Sequence, residues 1–124
     1  MAKFKSFEEI NSWQKSRIFN KRIYQITENV NFKKDFDFVR QIRRASLSIS
    51  SNIAEGFERN TDKEFIYFLF VVKASAGEVR SQLYLAIDLN YISSLEFTEL
   101  LELITEIGKL LSGFIKYLQT NVKS

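Results

Sequence analysis

The sequence predicts an all-α protein, an antiparallel up-down four-helix bundle, and three observations lead there. Four long segments repeat apolar residues with the 3.6-residue period of a helix, and no run alternates with the period of two that a half-buried strand needs. The breaks between segments are short and polar, and Ser or Thr followed three residues later by Glu marks three of the helix starts. Proline is absent, so nothing forces an interior kink. A length of 124 residues is one domain's worth, so a single bundle domain is expected over 1–124.

Taken in order, Ser6 with Glu9 forms the first capping pattern and opens a helix over about 7–30. The polar stretch Asn31-Phe32-Lys33-Lys34 then ends it. Asp35 or Asp37 can cap the second helix, expected over about 36–55 and stopped at Gly56, since glycine takes the left-handed conformation after a helix end at least cost. Thr61 with Glu64 opens the third over about 62–89, with Asn90 able to take the left-handed cap. Ser93 with Glu96 opens the fourth over about 95–119. Its apolar residues at 97, 100, 104, 107, 111, 114 and 118 form a coiled-coil-like seam. Helices of this kind on short loops pack most simply as an up-down bundle.

The third helix carries more apolar surface than one core needs. Phe65, Leu69, Val72, Ala76, Val79, Leu83 and Ile87 form one face, while Ile66, Tyr67, Phe70, Val71, Ala74, Tyr84, Leu85 and Leu89 lie around the rest. In a small bundle each helix shows one side outward, and an apolar outside calls for a partner to cover it. Leu47 and Ala54, opposite the stripe of the second helix, repeat the hint. Self-association through these two helices is the expectation; the alternative is that the aromatics merely flank a wide core.

Composition excludes much of enzymology. Histidine and cysteine both count zero, so no Ser-His or Cys-His pair, no thiolate or imidazole zinc site and no disulfide can form. No Gly-rich phosphate loop or dinucleotide fingerprint is present. Glu55, Glu58, Asp62 and Glu64 could hold magnesium, but they suit equally well the acid preference of a helix start. The chain is therefore expected to be no enzyme and to need no cofactor or metal. The N-terminal residues lack the apolar run of a signal peptide, and the longest uncharged apolar stretch, 65–72, is far short of a membrane span. A cytoplasmic protein is the expectation.

Charge is unevenly distributed. The net charge is +3, yet residues 1–44 carry eleven Lys or Arg against five Asp or Glu, and the remainder is acidic. Lys15, Arg22, Lys33, Lys34, Arg40, Arg43, Arg44 and Arg59 are the candidates for a basic surface meeting nucleic-acid phosphates. Arginine suits that role because its planar fork bonds two oxygens at once. The competing reading is a solvated face paired to Asp35, Asp37 and Glu55. Tyr24 and Trp13, which share a face of the first helix, are the aromatics best placed to stack on bases. Candidate packing residues are Gln41 and Asn52, polar amides at the stripe's edge that need hydrogen bonds on a neighbouring helix or subunit. With them go Leu47, Ser51, Glu55, Gly56, Tyr67, Phe70 and Tyr84.

The runs Trp13-Gln14-Lys15-Ser16, Gln41-Ile42-Arg43-Arg44-Ala45, Ser51-Asn52-Ile53-Ala54-Glu55-Gly56 and Leu89-Asn90-Tyr91-Ile92 resemble the bacterial 23S rRNA-intervening sequence proteins. The resemblance covers nearly the whole chain. It departs from the family pattern at Ser50, where a proline is frequent, and at Asn90, where glycine is usual. It implies a homopentameric barrel of four-helix subunits without established enzymatic activity. A related branch, the accessory variability determinant of diversity-generating retroelements, implies nucleic acid and a nucleic-acid enzyme such as a reverse transcriptase as partners. The function expected is binding of RNA or DNA; the alternative is a protein-interaction scaffold whose arginines serve subunit contacts.

Overall fold

The stretch expected to be one helix, 7–30, is broken, and the break follows from where hydrogen bonds go. The computed structural model describes residues 4–121. Ser6 makes no side-chain cap; the Glu9 carboxylate instead accepts from the Lys5 N–H at 3.0 Å, and residues Phe7–Glu9 form only a 3-10 turn. Buried Ile10 is extended, and helix α1 (Asn11–Ile26) starts after it. Thr27 is fully buried, and its hydroxyl donates back to the Ile23 carbonyl at 2.8 Å, tying off the helix end. The polar-looking run that follows is not a plain break. It forms the one-turn α2 (Val30–Lys33), which drives Phe32 into the core against Phe38 and Tyr91, each ring 5.0 Å away. One buried aromatic outweighs its polar neighbours, because it removes more apolar area from water than the polar groups lose by staying wet.

Helix α3 (Phe36–Phe57) is capped by Asp35, whose carboxylate accepts from the Phe38 N–H at 3.2 Å. It does not stop at Gly56, which lies inside the helix and is buried. Gly56 is required for a different reason from the one expected. A Cβ there would sit 2.6 Å from the Phe68 Cβ and 2.9 Å from a Phe65 ring carbon, so the glycine lets helix α4 (Asp62–Asp88) approach. Thr61 caps α4 through the Glu64 N–H at 3.1 Å. At the far end Asn90 adopts φ 59°, with Tyr91 N–H bonded to the Ala86 carbonyl and Asn90 N–H to that of Ile87, the two bonds of a Schellman ending. Helix α5 (Ser94–Asn121) opens on a reciprocal capping box. Ser93 N–H donates to the Glu96 carboxylate at 2.9 Å, and Glu96 N–H to the Ser93 hydroxyl at 3.1 Å.

The described residues contain no strand, and the helices form a bundle: α3 packs on α4, α4 on α5, and α1 against both α3 and α5. Phe65 against Phe114 at one end and Tyr84 against Phe97 at the other set α4 antiparallel to α5. The centre of the core is largely aliphatic, with Ile42, Ile49, Ile53, Leu69, Val79, Leu83, Ile107 and Leu111 all fully buried, and Phe19 and Phe32 are buried with them. Each such side chain contributes about 1.5–3 kcal/mol by leaving water. Asn20 adds directional register between α1 and α3, accepting from the Ser46 hydroxyl at 2.7 Å and donating to Ser50 at 2.8 Å. No described helix is long and apolar enough to cross a membrane.

Candidate nucleic-acid interface

The basic residues singled out by charge fall into two groups once their neighbours are visible. In the first, each cation already faces a carboxylate. Lys15 Nζ lies 3.1 Å from Glu106, and Arg22 reaches Glu99 at 3.2 Å and Gln25 at 2.8 Å, so both bridge α1 to α5. Arg59 rests on the Phe68 ring at 4.8 Å and points to Glu55 at 3.5 Å. Arg43 is the most committed. Its guanidinium stacks 4.3 Å over Tyr24, Nε donates to Thr27 Oγ1 at 2.9 Å, and Nη2 meets Glu28 at 3.0 Å. That places a cation at the C-terminal end of α1, where the helix dipole favours it. It also covers one face of Tyr24. Trp13 packs edge-on against Phe7 at 5.1 Å, with Arg17 5.9 Å away.

The second group is Lys33, Lys34, Arg40 and Arg44. The two lysines are exposed at the end of α2, and neither they nor Arg44 has an ionic partner among the described residues. Arg40 approaches Asp37 only to 3.6 Å, and an ion pair that open to water holds little energy. Arg40 and Arg44, one turn apart on α3, form a ridge between two shallow grooves. Tyr24, Phe36, Val39 and Leu47 line one; Gln41, Ser48, Ser75 and Glu78 lie in the other. Phe36 is 80% exposed beside this ridge. It is the aromatic the sequence reading missed, and the available signal was a phenylalanine off the core stripe, flanked by Asp35 and Asp37.

The expected packing residues separate in the same way. Gln41 donates to Asp37 at 3.2 Å and Asn52 to the Ser48 carbonyl at 2.8 Å, so both amides are satisfied within α3 rather than on a neighbouring helix. Contact across to α4 runs through Ser48 and Ser75, whose hydroxyls are 2.9 Å apart. Ser51 and Glu55 are exposed on α3, and Gly56 is the buried contact described above. Leu47, Tyr67, Phe70 and Tyr84 all lie open, Tyr67 being 66% exposed. Glu55, Glu58, Asp62 and Glu64 do not converge: no group of three or more acidic ligands that could hold an ion occurs among the described residues.

Residues 8–113 match the family model of the 23S rRNA-intervening sequence proteins. Among solved structures, the chain is similar to a protein of unknown function from the S23 ribosomal protein family of Bacteroides thetaiotaomicron. The two share 33% identity and a TM-score of 0.79, over 85% of this chain and 95% of that one. No curated protein matches the chain.

Proposed function

The chain belongs to the 23S rRNA-intervening sequence protein family, and from that premise we propose that it is a non-enzymatic, self-associating up-down bundle that binds RNA or DNA through backbone phosphates. The observation that carries this reading is the ridge of Arg40 and Arg44 with Lys33 and Lys34 nearby in sequence: four cations of which, among the described residues, only Arg40 touches a carboxylate, and that loosely. Exposed Phe36 beside the ridge supplies a flat face for an unpaired base, the combination that suits single strands. Self-association, as a pentamer by resemblance, would repeat the ridge around a ring and sum its field. Filter binding of a uniform single-stranded RNA at low salt tests the reading. Arg40→Glu with Arg44→Glu abolishes binding if the ridge carries it, while Lys15→Glu with Arg22→Glu leaves most of it. Equal losses, or no binding by the parent protein, would refute it.

The scaffold reading is favoured by a separate observation, the open aromatic positions Tyr67, Phe70 and Tyr84 on α4. In that version the ridge arginines join subunits, and the same double charge reversal dissolves the oligomer in light scattering instead of leaving an intact non-binder.

A further inference from the structure

A second cationic feature is built from residues that charge counting did not select. Between α4 and α5 runs a groove of about 460 Å³, floored by Ala76, Gly77, Ile104 and Gly108 and flanked by Lys73, Arg80 and Lys109. The floor is open: a Cβ built on Gly77 or on Gly108 meets nothing within 4 Å. None of the three cations has an ionic partner among the described residues, although carboxylates pair with Lys15, Arg22, Arg43 and Arg59 elsewhere. Helices α4 and α5 each place a glycine on this wet face without a turn or a close internal contact, and each gives up stability there. An occupant that needs the depth accounts for them.

We propose that this groove docks an acidic amphipathic helix of a partner protein. The floor excludes a purely electrostatic ligand, because it offers apolar carbon where a phosphate backbone would want donors. The rims exclude a purely apolar one, since three unpaired cations would be desolvated without compensation. A helix satisfies both. Its small or aliphatic residues at every third or fourth position drop onto the glycine floor, the helix-in-groove mode. Lys73 and Arg80 are seven residues apart on α4, about 10.5 Å along its axis. Carboxylates one heptad apart on the incoming helix have the same spacing, and Lys109 supplies a cation from α5. The inference is independent of the phosphate-binding ridge on α3.

The test uses the full chain and a fluorescein-labelled 21-residue helical peptide, with an Ala/Leu stripe flanked by Glu, in an anisotropy titration. A second peptide carries Gln in place of every Glu. The Glu peptide binds at least tenfold more tightly than the Gln peptide, and Lys73→Glu with Arg80→Glu and Lys109→Glu removes that preference. Gly77→Leu with Gly108→Leu, which fills open space and favours the helix, weakens both peptides at least tenfold. Amide shifts on titration fall in 73–80 and 104–112. Equal binding of the two peptides, or shifts centred on α3, overturns the proposal. So does displacement of the peptide by a single-stranded oligonucleotide that gives the same shifts, which would make the groove a nucleic-acid track. A loss of oligomer mass in the leucine variant without peptide would make it a contact between copies, and overturns the proposal as well.

Discussion

Adding one methyl group at Gly56 and the same methyl at Gly77 or Gly108 produces opposite effects, although all three glycines lie inside helices. In a helix interior, Gly→Ala alone stabilises by roughly 0.5–1 kcal/mol, because alanine loses less backbone freedom on folding. At Gly77 and Gly108 nothing within 4 Å opposes that gain. At Gly56 the new Cβ falls 2.6 Å from the Phe68 Cβ, an atom fixed to the α4 backbone that cannot swing away. Overpacking of this kind costs about 1–3 kcal/mol. The net expectation is a destabilisation of about 1–2 kcal/mol for Gly56→Ala and a stabilisation of up to about 1 kcal/mol for each of the other two. Urea melts followed by circular dichroism resolve the difference, with m held constant as the check that only stability changed. The opposite signs are the prediction. If Gly56→Ala raises the midpoint as Gly77→Ala does, α4 does not approach α3 as closely as described, and the account of the α3–α4 contact fails.

Arg43→Gln removes the cation from Tyr24 and the charged donor from the fully buried Thr27 hydroxyl, and should cost about 1–2 kcal/mol, the exposed Glu28 pair adding little. Arg44→Gln, with no ionic partner to lose among the described residues, stays within about 0.5 kcal/mol; equal effects in denaturant melts would refute the clamp. Tyr91 donates its phenol to Asp35 at 2.9 Å, and that bond, with burial and the carboxylate's charge, holds its pKa above the usual 10.0. The folded phenol therefore keeps its proton longer than the unfolded one. Its contribution is complete below the ordinary tyrosine value and is lost as pH rises through the raised one. A Tm series from pH 8 to 11 should show a steeper alkaline fall for the parent than for Tyr91→Phe; parallel curves would contradict it.

Four of the helix ends were legible because their signals are local, whereas the equally local Ser6–Glu9 pattern makes no cap. Asp35, Thr61, the Ser93–Glu96 box and left-handed Asn90 each act within a few residues, so their chemistry is written in adjacent letters. What distance hides was not legible. Arg22 and Lys15 look like free surface cations until α5 returns Glu99 and Glu106 beside them, from many residues away. Arg43 reads as half of a basic pair with Arg44, yet only one of the two turns toward α1, a consequence of helix rotation fixed by the core. Phe32 shows how a polar stretch conceals a core residue, and Gly56 how a signal for one role can serve another. The groove between α4 and α5 left no trace in charge counting, because its cations come from two segments that are each acidic on balance.

Phosphate recognition by the α3 ridge is tested most directly by the salt dependence of the dissociation constant for a labelled oligo-uridine. For a single strand, the logarithm of affinity falls with the logarithm of salt by about 0.7 per neutralised phosphate. A steep negative slope is predicted for the parent, shallower by about 1.4 in Arg40→Gln with Arg44→Gln, which loses two such contacts while leaving measurable affinity. A flat salt response, or an identical slope in the variant, would contradict it.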